Sequence, residues 1–78
     1  MSIRQLELLG TPGCHLFDLA EVLIAGCLDL SQVEVELIDI AQNDDLIARY
    51  GIKIPVLRCP KSQAELCWPF DELAVKAF

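Results

Sequence analysis

The apolar pattern of this chain changes period at Gly10-Thr11-Pro12-Gly13-Cys14, and that change fixes most of what the chain can fold into. Arg4 to Leu9 alternates, with Leu6 and Leu8 on one face and Gln5 and Glu7 on the other, as a half-buried strand does. Glycine and proline then break the strand. From Cys14 onward Leu16, Leu19, Ala20, Leu23, Ile24 and Cys27 recur at helical spacing, with Asp18 and Glu21 off that stripe, and the helix is expected to end near Gly26 to Leu28. One cysteine therefore stands where a strand turns into a helix. There the first backbone N–H groups lack intrahelical acceptors and the positive end of the helix dipole points outward, and both favour thiolate over thiol. A free thiol of pKa about 8.5 is only about 3% ionised at pH 7, so the first unit of depression gives nearly tenfold more nucleophile.

Beyond that helix the period alternates twice more. Val33 to Ile40 reads as a strand, with Val33, Val35 and Leu37 opposite Glu34, Glu36 and Ile38, and strand, helix, strand of this length implies a right-handed parallel crossover. Asn43 can N-cap a short helix carrying Leu46, Ile47 and Tyr50, which Gly51 stops. Val56 to Cys59 is a third strand, Pro60 to Gln63 a turn and Ala64 to Trp68 a fourth strand, and so short a connection implies an antiparallel hairpin. Pro69 leads into a last helix with Phe70, Leu73, Ala74, Ala77 and Phe78 on one face. The order is β-α-β-α-β-β-α, an α/β chain with a four-stranded mixed sheet and three helices.

At 78 residues the expectation is one domain, 1–78. A chain this short buries only about 60 to 65% of its extended surface, so nearly all of it must join one packed unit. An apolar content of 54% makes that feasible. The net charge is −6, and the six basic residues, Arg4, Arg49, Lys53, Arg58, Lys61 and Lys76, are scattered along the sequence. Nucleic-acid binding, which needs clustered cations against phosphates, is not expected, and the acidity reads as solubility. No basic segment leads into an apolar one, and no apolar run approaches the ~20 residues of a membrane span. The expectation is a cytoplasmic monomer without membrane contact, its four cysteines kept as free thiols.

Thr11-Pro12-Gly13-Cys14-His15-Leu16-Phe17 and Ile54-Pro55-Val56 together resemble the thioredoxin superfamily, in particular the small glutaredoxin-like proteins whose active site reads Cys-His-Leu-Cys. The resemblance covers nearly the whole chain. It implies a thioredoxin-like (glutaredoxin-like) fold in which Pro55 follows a cis bond and faces Cys14. It also implies a thiol redox protein serving cell redox homeostasis by thiol–disulfide exchange. Cys14 is then the catalytic nucleophile, with Thr11, Pro12, Gly13, Lys53, Ile54, Pro55 and Val56 as the substrate-binding positions. The implied partner is a protein carrying thiols or disulfides, or a small thiol.

Phe17 stands where the dithiol members of that family have their second cysteine. A two-cysteine cycle inside the motif is therefore impossible, and resolution falls to glutathione, another protein or a distant thiol. Monothiol glutaredoxins share a non-cysteine fourth residue, but their Cys-Gly-Phe-Ser motif is not matched. Glutaredoxins usually carry a lysine where this chain has Thr11, and a Gly-Gly pair where it has Trp68-Pro69-Phe70-Asp71. Weak glutathione binding and no resident cofactor or metal are expected, since one His and no Cys-x-x-Cys pair make a poor zinc site. A non-catalytic module holding an extended peptide along the Ile54-Pro55 edge is the alternative function, and a monothiol iron–sulfur carrier the third.

Other side chains read structurally. His15 points about 100° away from Cys14 on a helix and is an exposed or packing residue. Phe17 is a core or rim residue, Trp68 packs near the sheet edge, and Cys27, Cys59 and Cys67 are apolar fillers. A three-residue offset across the hairpin keeps Cys59 and Cys67 beyond the ~7 Å limit of a disulfide. Lys53 is the cation that overlooks the cleft.

Overall fold

An N-terminal strand with apolar residues on both faces can sit inside a sheet, and here it does. The computed structural model describes residues 4–11, 13–29 and 31–78. In chain order these form β1 (Arg4–Gly10), α1 (His15–Cys27), β2 (Val33–Asp39), a 3-10 turn (Ile40–Gln42), α2 (Asp44–Tyr50), β3 (Val56–Cys59), β4 (Ala64–Cys67) and α3 (Glu72–Ala77). The sheet order is β2-β1-β3-β4. β1 and β2 are parallel, as the α1 crossover requires, whereas β3 runs antiparallel to β1 and β4 antiparallel to β3. Val56 pairs with Cys67 and Cys59 with Ala64, the register expected of a Pro60 to Gln63 turn.

Alternation along β1 and β3 divides the interior into two cores. Leu6, Leu8, Leu57 and Cys59 face α1 and α3, where Ala20, Ile24, Phe70 and Val75 close over them. Leu9 and Val56 point the other way and pack with Ile40 and Tyr50, flanked by Ile38, Leu46 and Ile54. Fully burying a leucine contributes about 1.5 to 3 kcal/mol, and Leu8 and Leu57 retain no exposed surface, so they anchor the central pair of strands.

Three local expectations are corrected. In α1 the buried line runs through Phe17, Ala20, Leu23, Ile24 and Cys27, while Leu16 and Leu19 are exposed. At about 100° per residue Leu19 falls about 120° from the mean direction of Ala20 and Ile24, too far round to reach the sheet. In α3 the buried residue is Val75, with Leu73 and Ala77 outside, because Asp71 accepts from the Ala74 N–H at 2.8 Å and sets the helix start there. The second strand stops one residue early, where the Asp39 carboxylate accepts from Ala41 N–H at 2.9 Å and turns Ile40 inward. β2 is an edge strand, and its Leu37 is exposed.

Candidate functional site

Strand register brings the two motifs together. Leu9 pairs with Val56, so the loop that leaves β1 after Gly10 and the Ile54-Pro55 segment that enters β3 emerge side by side from one end of the sheet. Gly13, at φ +81°, makes the turn in a backbone region that side chains disfavour, and Cys14 N–H closes it on Thr11 C=O at 3.2 Å. Cys14 is the extended N-cap of α1, and its carbonyl accepts from the N–H groups of Phe17 at 3.1 Å and Asp18 at 3.3 Å. Its side chain is half-buried and makes no capping hydrogen bond. Thr11 and Ile54 are half-buried, Pro55 and Val56 buried, Gly13 and Lys53 exposed, while Pro12 lies outside the described residues.

The Ile54–Pro55 peptide bond is cis, and so is Trp68–Pro69, which no sequence pattern singled out. Trp68 N–H donates to Pro55 C=O at 3.0 Å, which draws the β4–α3 junction against the same end of the sheet. The Trp68 indole meets Phe70 edge-on, with ring centroids 5.0 Å apart, and both pack on the α1-side core. This end is thus built from three junctions, at Cys14, Pro55 and Trp68.

Phe17 lies over the backbone of Gly10. A Cβ placed on Gly10 would meet ring atoms Cε1 at 2.6 Å and Cγ at 2.9 Å, so the missing second thiol is replaced by a ring that fills the floor of the motif. Two of the other cysteines lie far from Cys14 along their elements, and the third is on the opposite face of the sheet. Cys27 lies at the far end of α1, about 20 Å along the helix axis. Cys59 ends β3 at the opposite pole of the sheet, about 13 Å from Pro55 along the strand. Cys67 pairs with Val56 and shares its face, the side away from α1. Its exposure corrects its reading as a filler.

Cys59 is the residue whose chemistry the sequence reading missed. It is only 7% exposed, yet the thiol is lowered to about 7, chiefly by hydrogen bonds from the Ser62 hydroxyl and backbone N–H, with Lys61 N–H and Arg4 adding to them against the effect of burial. The Pro60 to Gln63 turn supplies those donors, and Gln63, at φ 61°, closes it by donating to Cys59 C=O at 2.7 Å. A Cys-Pro-Lys-Ser turn was the available signal. Lys53 lies in a polar cleft on the α2 face with Arg49, Tyr50, Arg58, Gln63 and Glu65, which Cys14 does not line. There Arg58 pairs with Glu7 at 3.0 Å and Glu65 at 3.9 Å, and the Tyr50 hydroxyl donates to Glu65, which pushes the phenol up from its ordinary range.

Among the described residues no group of three His, Cys, Asp or Glu side chains is placed to hold a metal ion, and no helix is long and apolar enough to cross a membrane. No curated protein matches the chain. Solved structures do. The crystal structure of protein XcR50 from X. campestris is 33% identical, with 92% of this chain and 91% of that one covered at a TM-score of 0.81. The solution structure of protein Ne2328 from Nitrosomonas europaea is 28% identical, with 99% and 92% covered at a TM-score of 0.69. The family model described as "Glutaredoxin-like domain (DUF836)" matches residues 5–78. The four-stranded mixed sheet, the cysteine at the β1–α1 junction and a family match over nearly the whole chain agree, and the protein belongs to the glutaredoxin-like domain family.

Proposed function

We propose that the protein carries out thiol–disulfide exchange with Cys14 as its only nucleophile. The observation that carries this reading is the position of Cys14 as an uncapped N-cap: donors of the first helical turn, normally taken by a Ser, Thr or Asp oxygen, have no side-chain acceptor at the residue that carries the sulfur. The Cys14 thiolate attacks one sulfur of a substrate disulfide, a new S–S bond forms, and the other sulfur leaves as a thiolate. A second thiol then attacks the mixed disulfide and releases Cys14. That second thiol comes from another molecule, because among the described residues Cys27 and Cys59 lie far along their elements and Cys67 is on the other face.

The peptide-binding alternative is supported less well. Ile54 N–H donates to Tyr50 C=O at 3.1 Å and Pro55 C=O accepts from Trp68, so groups that strand addition would use are engaged within the chain. An iron–sulfur cluster at Cys14 would likewise need its remaining ligands from other molecules.

Trapping tests the proposal. Incubated with glutathione disulfide, the protein should gain one glutathione, mapped by mass spectrometry to Cys14, and Cys14→Ser should gain none there. Adducts confined to Cys67 would refute it.

A further inference from the structure

We propose that the cleft between α2 and the β3–β4 hairpin binds a small ligand through a phosphoryl dianion. Three of the six Lys and Arg residues line it: Arg49 from α2, Lys53 from the loop before β3, and Arg58 from β3. On a chain of net charge −6 the fold thus concentrates half of its cations around one cleft of about 340 Å³. Tyr50, Gln63 and Glu65 complete walls that are mainly polar.

The charges in the cleft do not cancel. Glu65 is its one carboxylate, already engaged by the Tyr50 hydroxyl and by Arg58 at 3.9 Å. Arg58 is held in place from the other side by Glu7 at 3.0 Å. Arg49 and Lys53 have no ion-pair partner among the described residues. A ligand with two negative charges would satisfy both. The three cations come from three elements instead of forming one planar fork, which suits a tetrahedral oxyanion that accepts from several directions better than a flat carboxylate. The cleft opens on the face away from α1, so it does not depend on Cys14.

An amide-resolved NMR titration of the full chain with inorganic phosphate, at constant ionic strength, tests this. Saturable shifts are expected at Lys53 and Gln63, and Arg49→Gln and Lys53→Gln should each weaken binding by about fivefold. Glu65→Gln, which removes the one carboxylate that lines the cleft, should tighten it. Lys76→Gln, altering a cation paired with Glu72 at 2.8 Å on α3, and Cys14→Ser should leave binding unchanged, the latter whether or not Cys14 is a nucleophile. Shifts that rise without saturation, saturation by succinate but not by phosphate, or equal weakening by Lys76→Gln and Lys53→Gln would each overturn the proposal.

Discussion

The ring of Phe17 occupies the space where residue 10 would carry a side chain, so Gly10 and Phe17 form a single packing unit at the junction of β1 and α1. The motif of this protein is therefore more than a dithiol motif with one sulfur deleted. Its fourth position is packed down onto the end of β1.

Gly10→Ala is expected to destabilise the fold by about 1 to 3 kcal/mol, the usual cost of overpacking a filled site. Urea denaturation would measure it. In the double variant with Phe17→Leu, whose smaller side chain vacates part of the ring's space, the loss should fall short of the sum of the single losses by at least about 0.5 kcal/mol.

Phe17→Cys restores the family's spacing of one helical turn from Cys14. A disulfide between Cys14 and the introduced thiol should form in glutathione buffer, visible as protection of both thiols in mass mapping, and dithiol reductase activity should rise over wild type. Removing the ring opens space above Gly10, so the reduced variant should also be less stable by about 1 to 3 kcal/mol.

Brief alkylation of the native protein with iodoacetamide should modify Cys14 first. Cys67 is exposed but ends a strand and is not the N-cap of a helix, and should follow. Cys59, at 7% exposure, should be protected despite its low pKa until denaturant exposes it. Site-resolved mass spectrometry gives the order, and labelling of Cys67 ahead of Cys14 would count against the nucleophile.

The turn donors around Cys59 make stability depend on pH in a defined direction. The folded thiol is lowered to about 7, below the free value of about 8.5. Its thiolate therefore contributes stability that is fully present above about pH 8.5 and is lost as pH falls through about 7. Ser62→Ala removes the largest of these donors and should flatten the dependence, while the thiolate absorbance of Cys59 moves to higher pH.

Reduced glutathione is expected to bind weakly. The chain has Thr11 where the glutaredoxins it resembles usually carry a lysine, and Trp68-Pro69-Phe70-Asp71 where they have a Gly-Gly pair. Loss of one charge-assisted contact costs about 1.5 to 3 kcal/mol, or roughly 10- to 150-fold in affinity. Titration calorimetry should detect no micromolar association.

The sequence by itself determined the order of elements and the hairpin register, because both follow from local period and turn chemistry, whereas the pairing of β1 with β3, which sets the Cys14 loop beside the Ile54-Pro55 segment, came from the tertiary fold. It also marked Phe17 as a packing residue. It could not choose the ring's neighbour, since contact with Gly10 depends on how α1 is rotated and seated on the sheet. The same rotation put Leu16 and Leu19 outside, and the seating of α3 put Val75 inside, against the apolar count of each helix. Arg49, Lys53 and Arg58, scattered in sequence, share a cleft only because α2, its following loop and β3 converge on one face. Cys59 reads as an apolar filler in sequence, and its lowered thiol comes from the Ser62 turn that the hairpin sets beside it. Periodicity tells which side of an element is apolar, but the environment of a side chain is set by what other elements bring to it, and that was decided only by the tertiary fold.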